Sequence, residues 1–198
     1  MSSVKSFFSS WYFLWALLAL PSIPMALGLA GGNANLADLL HSSGELSARF
    51  MIIALMASPL RLVFKNKSLP AWLVRNRRYF GVAAFVYAAW HTVLYVLDMG
   101  SLKAVLDQFF DLGIWTGWVA FFIFIPLAIT SNDASMRALR HKWKKLQRFA
   151  YGAAVLTLLH WVFIHNHFGA ALAHFLPLAC LEAYRLWYYK MGRAKAAA

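Results

Sequence analysis

Six apolar windows separated by short polar or basic stretches run along the chain: Phe7–Leu29, Phe50–Phe64, Tyr79–Leu97, Leu112–Thr130, Leu146–Ile164 and Gly169–Tyr189. A bilayer core of roughly 30 Å takes about 20 helical residues. Each window therefore predicts a membrane-crossing helix, and together they predict an all-α polytopic membrane bundle of about six. The second window is the shortest and contains Pro59 and Arg61. Pro21 and Pro24 predict a kink in the first, which membrane helices tolerate because neighbouring groups satisfy the freed backbone. These prolines and Ser22 also interrupt the apolar run before any small-x-small cleavage site, and Lys5 is the only cation ahead of it. The first window is thus read as a membrane helix and not as a cleaved signal. No repeat or linker divides the chain, so residues 1–198 are expected to form one domain, with a short disordered Ala-rich tail after about residue 193.

Charge then orients the bundle. With six spans the polar segments alternate between two sides, and 17 of the 19 Lys and Arg residues fall on one of them. Only Arg49 and Lys103 lie on the other, together with Asp38, Glu45, Asp98, Asp107 and Asp111. The positive-inside rule places the cation-rich side, and with it both termini, in the cytoplasm. This asymmetry explains the net charge of +12 without nucleic acid; lipid is the expected environment. A composition of 62% hydrophobic and 13% charged residues excludes an ordinary soluble domain. Cys180 is the only cysteine, which excludes an internal disulfide, a four-cysteine iron–sulfur cluster and covalent C-x-x-C-H haem. No P-loop or dinucleotide glycine motif occurs.

The candidate chemistry lies in two histidines. His91 stands thirteen residues after Arg78, and His160 stands fifteen after Lys145. At 1.5 Å per residue, both rings lie roughly 20 Å from the same basic face. Two imidazoles at matched depth can grip one flat metal macrocycle, whereas each alone would serve equally well as an interhelical hydrogen-bonding group. Gly81, Ala84 and Ala88 precede His91 on nearly the same face, and Ala150, Ala153 and Thr157 stand at the same offsets before His160. Such small faces leave room for a macrocycle and equally let bare helices approach.

The remaining histidines are read individually. His165 and His167 belong to the outer boundary; a zinc or copper site with His160 lacks a recognisable ligand set. His41 and His141 are expected in solvent, and His174 as a packed polar residue or reserve ligand. Trp90 and Trp161 fit an interfacial belt. The Trp143, Lys144, Lys145 and Arg148 cluster reads as a solvated cytoplasmic edge that would attract a flavin phosphate or a reductase.

Several segments resemble a known family: SPLRLVF at 58–64, NRRYFGVAAFVYAAWHTVLY at 76–95 and SNDASMRALRHKWKKLQRFAYGAAVLTLLHW at 131–161. They are similar to the MsrQ/YedZ family, haem-binding membrane subunits of the bacterial protein-methionine-sulfoxide reductase system, within the wider ferric-reductase-like transmembrane domain. The resemblance implies that His91 and His160 are axial ligands of a b-type haem, metal ligands to its iron. It also implies FMN, and a relay from the quinone pool or a cytosolic flavin reductase to a periplasmic molybdenum-containing methionine sulfoxide reductase. That partner would hold the catalytic site, so this chain is expected to be an electron-transfer subunit with no catalytic residues of its own. The family commonly has a further histidine where this chain has Gln147, whose amide nitrogen offers iron no lone pair. Arg77 and Arg78 stand at the equivalent depth on the third window. One haem rather than two is therefore expected.

Arg49 stands where it would neutralise a haem propionate or snorkel to the interface. The competing reading is a ferric or cupric reductase acting at the outer surface with the same haem. A metal transporter would call for more intramembrane carboxylates than Glu182, and a di-iron oxygenase for histidine boxes that the sequence lacks.

Overall fold

The structure is a computed structural model that describes residues 10–32, 34–165 and 168–197. Its regular elements are all helices: α1 (Trp11–Ala19), α2 (Ser22–Ala30), α3 (Leu36–Val63), α4 (Ser68–Met99), α5 (Leu102–Asp107), α6 (Leu112–Ile129), α7 (Asp133–Leu139), α8 (His141–Gln147), α9 (Phe149–His165) and α10 (Phe168–Ala197). The described parts of all six apolar windows fall on helices. α1 and α2 meet at a bend of 46°, where Pro21 begins the second piece.

Length and composition qualify α3, α4 and α6 as spans and the bent α1–α2 pair as a fourth. α9 has 17 residues, about 26 Å of helix. The polytopic bundle is thus established, while the count of six rests on the sequence windows. α10 continues to Ala197, past the residue near 193 where order was expected to end. Alanine has the highest helix propensity of any residue.

The second window is where sequence and structure differ most. α3 starts at Leu36 instead of Phe50, capped by the Asn35 side chain, which accepts from the Ala37 amide. The added turns read HSSGELSAR, polar enough to look like a loop. Ser43 and Ser47 are nevertheless buried within the bundle. α4 ends at Gly100, whose φ of 66° is the left-handed conformation that glycine adopts without a Cβ penalty.

α3 and α4 form the broadest helix pair, α6 and α9 the second, and α10 lies on α3. Small residues at the crossings, Ala48, Ala84, Ala153 and Ala171, are almost wholly buried and let backbones approach closely. In lipid this packing, with interhelical hydrogen bonds, drives association, because the solvent is as apolar as the side chains. Ser47 donates to the Ala84 carbonyl at 2.8 Å, and Tyr87 donates to the Leu18 carbonyl at 3.0 Å. The first bond joins α3 to α4 and the second anchors α1. Two tryptophans depart from their expected places. Trp161 is buried in the core and not at an interface. Trp143 is buried beneath the basic cluster, where it donates to the Thr130 carbonyl.

Candidate metal centre

α4 carries His91 and α9 carries His160, and the bundle brings their rings to a centroid separation of 6.1 Å with planes at 85°. Each ring is held by a helix other than its own. His91 donates from Nδ1 to the Leu40 carbonyl on α3 at 2.9 Å, and His160 donates from Nδ1 to the Gly113 carbonyl on α6 at 2.7 Å. A carbonyl can only accept, so both Nδ1 atoms carry the proton. In the neutral ring the lone pair then sits on Nε2, the atom that binds metal, and the Nδ1 bond raises its basicity.

The two seats share one local plan. Ser43 donates to the Leu40 carbonyl at 3.0 Å, and Thr116 donates to the Gly113 carbonyl at 2.8 Å. Each hydroxyl is followed by a glycine. A Cβ on Gly44 would lie 3.1 Å from His91 Nδ1, and one on Gly117 would lie 2.7 Å from His160 Nδ1. A glycine inside a helix costs roughly 0.5–1 kcal/mol relative to alanine. Here the missing Cβ is the space that each imidazole occupies.

Both rings line a cavity of about 300 Å³ shared by α3, α4, α6 and α9. Its wall is otherwise largely apolar, with Ala88, Phe121, Phe124 and Thr157 among the lining residues. Tyr95 lines it one helical turn beyond His91, and its buried hydroxyl has no hydrogen-bond partner among the described residues. Orphaned hydroxyls of this kind are uncommon in folded proteins, and a ligand is one way to satisfy them. Metal–imidazole bonds of about 2 Å place two rings roughly 6 Å apart when one ion lies between them. The donor set, the separation and the cavity fit a macrocycle bound through both axial positions. Among the described residues no group of three His, Cys, Asp or Glu side chains is placed to hold a bare ion.

The other expected residues are distributed more widely. Arg49 is not among the residues lining the cavity. Its guanidinium pairs with Glu45 and donates from Nε to His174 Nε2 at 3.2 Å. Glu45 does line the cavity, and His174 packs on Trp161 with ring centroids 5.0 Å apart. His41, expected in solvent, is exposed yet also lines the cavity. The His165 side chain and the whole of His167 lie outside the described residues. Of the small stripes, Ala88 and Thr157 line this cavity, whereas Gly81, Ala84 and Ala150 line a second one nearer the basic end. Gln147 lines that second cavity and donates to the Leu127 carbonyl at 3.2 Å.

Sequence reasoning missed Ser43, Gly44, Thr116, Gly117 and Tyr95. The available signal was a hydroxyl residue followed by glycine, three and four residues after the accepting carbonyl, in LHSSG and again in GIWTG.

Comparison with known proteins bears on the same segment. Residues 43–158 match the family model described as ferric reductase like transmembrane component. A protein-methionine-sulfoxide reductase heme-binding subunit MsrQ from Azospira oryzae is 33% identical over 191 residues, covering 87% of this chain and 76% of its own. The subunit of the same name from Xanthomonas euvesicatoria pv. vesicatoria is 31% identical over 160 residues, covering 79% and 72%. A third, from Xanthomonas oryzae pv. oryzae, is also 31% identical over 160 residues. No solved structure matches the chain.

Proposed function

This chain belongs to the MsrQ/YedZ family of ferric-reductase-like transmembrane proteins, and we propose that it is the b-type cytochrome subunit of a protein-methionine-sulfoxide reductase system. In this reading electrons enter from the quinone pool or a cytosolic flavin reductase and leave to a periplasmic molybdenum-containing methionine sulfoxide reductase. The chain lies in the bacterial inner membrane with both termini in the cytoplasm, and it supports repair of oxidised periplasmic proteins. The single observation that carries the proposal is the meeting of His91 and His160 at 6.1 Å, each seated on a facing helix.

His91 and His160 would hold one haem b, which when bound supplies one-electron redox chemistry in the membrane. Were both His91 and His160 to ligate its iron, they would leave no open position for oxygen or a substrate, and the chemistry supplied would be outer-sphere electron transfer. The Nδ1 bonds to Leu40 and Gly113 fix ring orientation and ligand basicity. Tyr95 is placed to donate to an acceptor at the cavity edge. Arg49 acts one step back, orienting Glu45 and His174. FMN enters as a further carrier by family resemblance, and released flavin fluorescence from the purified chain tests for it.

Purified protein is expected to show paired α and β absorption bands on reduction and one haem per polypeptide by pyridine haemochrome. His91→Ala and His160→Ala should each remove the low-spin spectrum. Unchanged spectra would overturn the assignment. The family model's description supports a second reading, a ferric or cupric reductase working at the outer surface. Deletion would then impair metal uptake and spare periplasmic sulfoxide repair.

A further inference from the structure

The second cavity, about 290 Å³, opens between α3, α4, α6, α8 and α9 at the basic end of the bundle. Its floor is apolar, with Met51, Leu55, Ala84, Phe124 and Leu127 among its residues. Gly81 also lines it, and a Cβ built there meets nothing within 4 Å. Over this floor stand Arg77, Arg78, Lys144 and Arg148. Arg78 is already paired, with Asp133 at 2.6 Å. Among the described residues, Arg77 donates only to the Ser58 hydroxyl, at 3.0 Å. Among the described residues no carboxylate lies within ion-pairing distance of Arg77, Lys144 or Arg148.

Three uncompensated cations above an apolar pocket make an amphiphile's site. The charges call for a phosphate ester, and the floor calls for hydrocarbon beneath it. Two sources of that chemistry exist in a membrane, an anionic phospholipid and a flavin mononucleotide. The cavity's polar side chains Ser58, Ser131, Gln147 and Tyr151 are already hydrogen-bonded within the protein, so a flavin ring would leave much of its polar edge against Met51, Leu55, Ala84 and Leu127, where desolvation is costly. An acyl chain has no such requirement. Basic pockets between membrane helices at the cation-rich face suit anionic head groups for the same reason. The cavity offers no imidazole among its described lining residues, so its chemistry differs in kind from that of the His91–His160 cavity.

We propose that this cavity binds an anionic phospholipid, its phosphate between Arg77, Lys144 and Arg148 and its first acyl segment on the floor beside Gly81. The lipid joins α8 to α3 and α4 through charge that the protein itself leaves uncompensated.

Native mass spectrometry of the full chain, taken from nanodiscs of mixed phosphatidylglycerol and phosphatidylcholine, tests the site. One phosphatidylglycerol should be retained in preference to phosphatidylcholine. Arg77→Gln with Arg148→Gln should lower that retention by about tenfold or more, as expected for two lost surface charges. Gly81→Leu fills open space without altering charge and should displace the lipid too, which keeps the test decisive if the double variant folds poorly. Lys103→Gln, remote and paired with Asp107, should change nothing. Equal retention of phosphatidylcholine, or full retention in Gly81→Leu, would overturn the proposal. So would displacement of the lipid by equimolar flavin mononucleotide.

Discussion

The bundle contains two cavities of nearly equal volume, about 300 and 290 Å³, at different depths: α3, α4, α6 and α9 line both, α8 joins them only at the second, and Phe124 lines both. The first collects the facing imidazoles of His91 and His160, the His41 ring and an orphaned tyrosine hydroxyl. The second collects cations, hydroxyls and Gln147. Space alone therefore does not make a metal centre in this fold. Their glycines show the distinction most directly. Gly44 and Gly117 are occupied by the protein's own histidine rings, whereas the space at Gly81 is filled by no protein atom. One cavity is built around ligands that the chain supplies, and the other is built to receive something that the chain does not.

Glycine substitutions attack that contrast first. Gly117→Ala puts a methyl 2.7 Å from His160 Nδ1, so the ring must leave its seat. Haem retention in dilution assays is expected to fall about tenfold, within the cost of overpacking a tight site. Gly81→Ala is the matched control. It should leave haem unchanged and raise stability by up to about 1 kcal/mol, because a permissive residue is removed without a clash.

Tyr95→Phe comes next. If its hydroxyl finds a partner only when the cavity is occupied, the variant should retain haem about fivefold less well, the worth of one hydrogen bond. The apoprotein should be as stable as before or more so, because an unsatisfied buried group has been removed. Equal haem retention would return Tyr95 to a packing role. Gly44→Ala should cost only about two- to threefold, because its contact at 3.1 Å is relieved by a small shift of the ring. The smallest expected change is in Gln147→His. It places one imidazole at the basic cavity opposite Arg77 and Arg78, neither of which ligates iron, so pyridine haemochrome should still give one haem per chain. Two would erase the contrast between the cavities.

Much of this was legible in the sequence. Apolar runs identified every long helix, and charge-to-histidine spacing paired His91 with His160. Both signals are periodic and local. The first half of α3 was not legible, because hydropathy assumes that a membrane helix faces lipid. Ser43, Glu45 and Ser47 instead face the bundle interior or its cavity, so their polarity resembled that of a loop. Trp161 resembled a belt residue for the converse reason, since composition does not say which side of a helix is inside. The pairing of Arg49 with Glu45, one turn away, was not legible either, since the first half of α3 does not read as a helix. The paired seats escaped because a glycine's purpose depends on the ring that another helix brings to it.

Those seats also bear on how ready the site is for a metal. Each histidine is carried by one helix and oriented by a backbone carbonyl of another, so neither ring can turn without giving up that hydrogen bond. Both Nε2 lone pairs are therefore assigned before any metal arrives, and a haem held by His91 and His160 would meet ligands that the backbone has already preorganised.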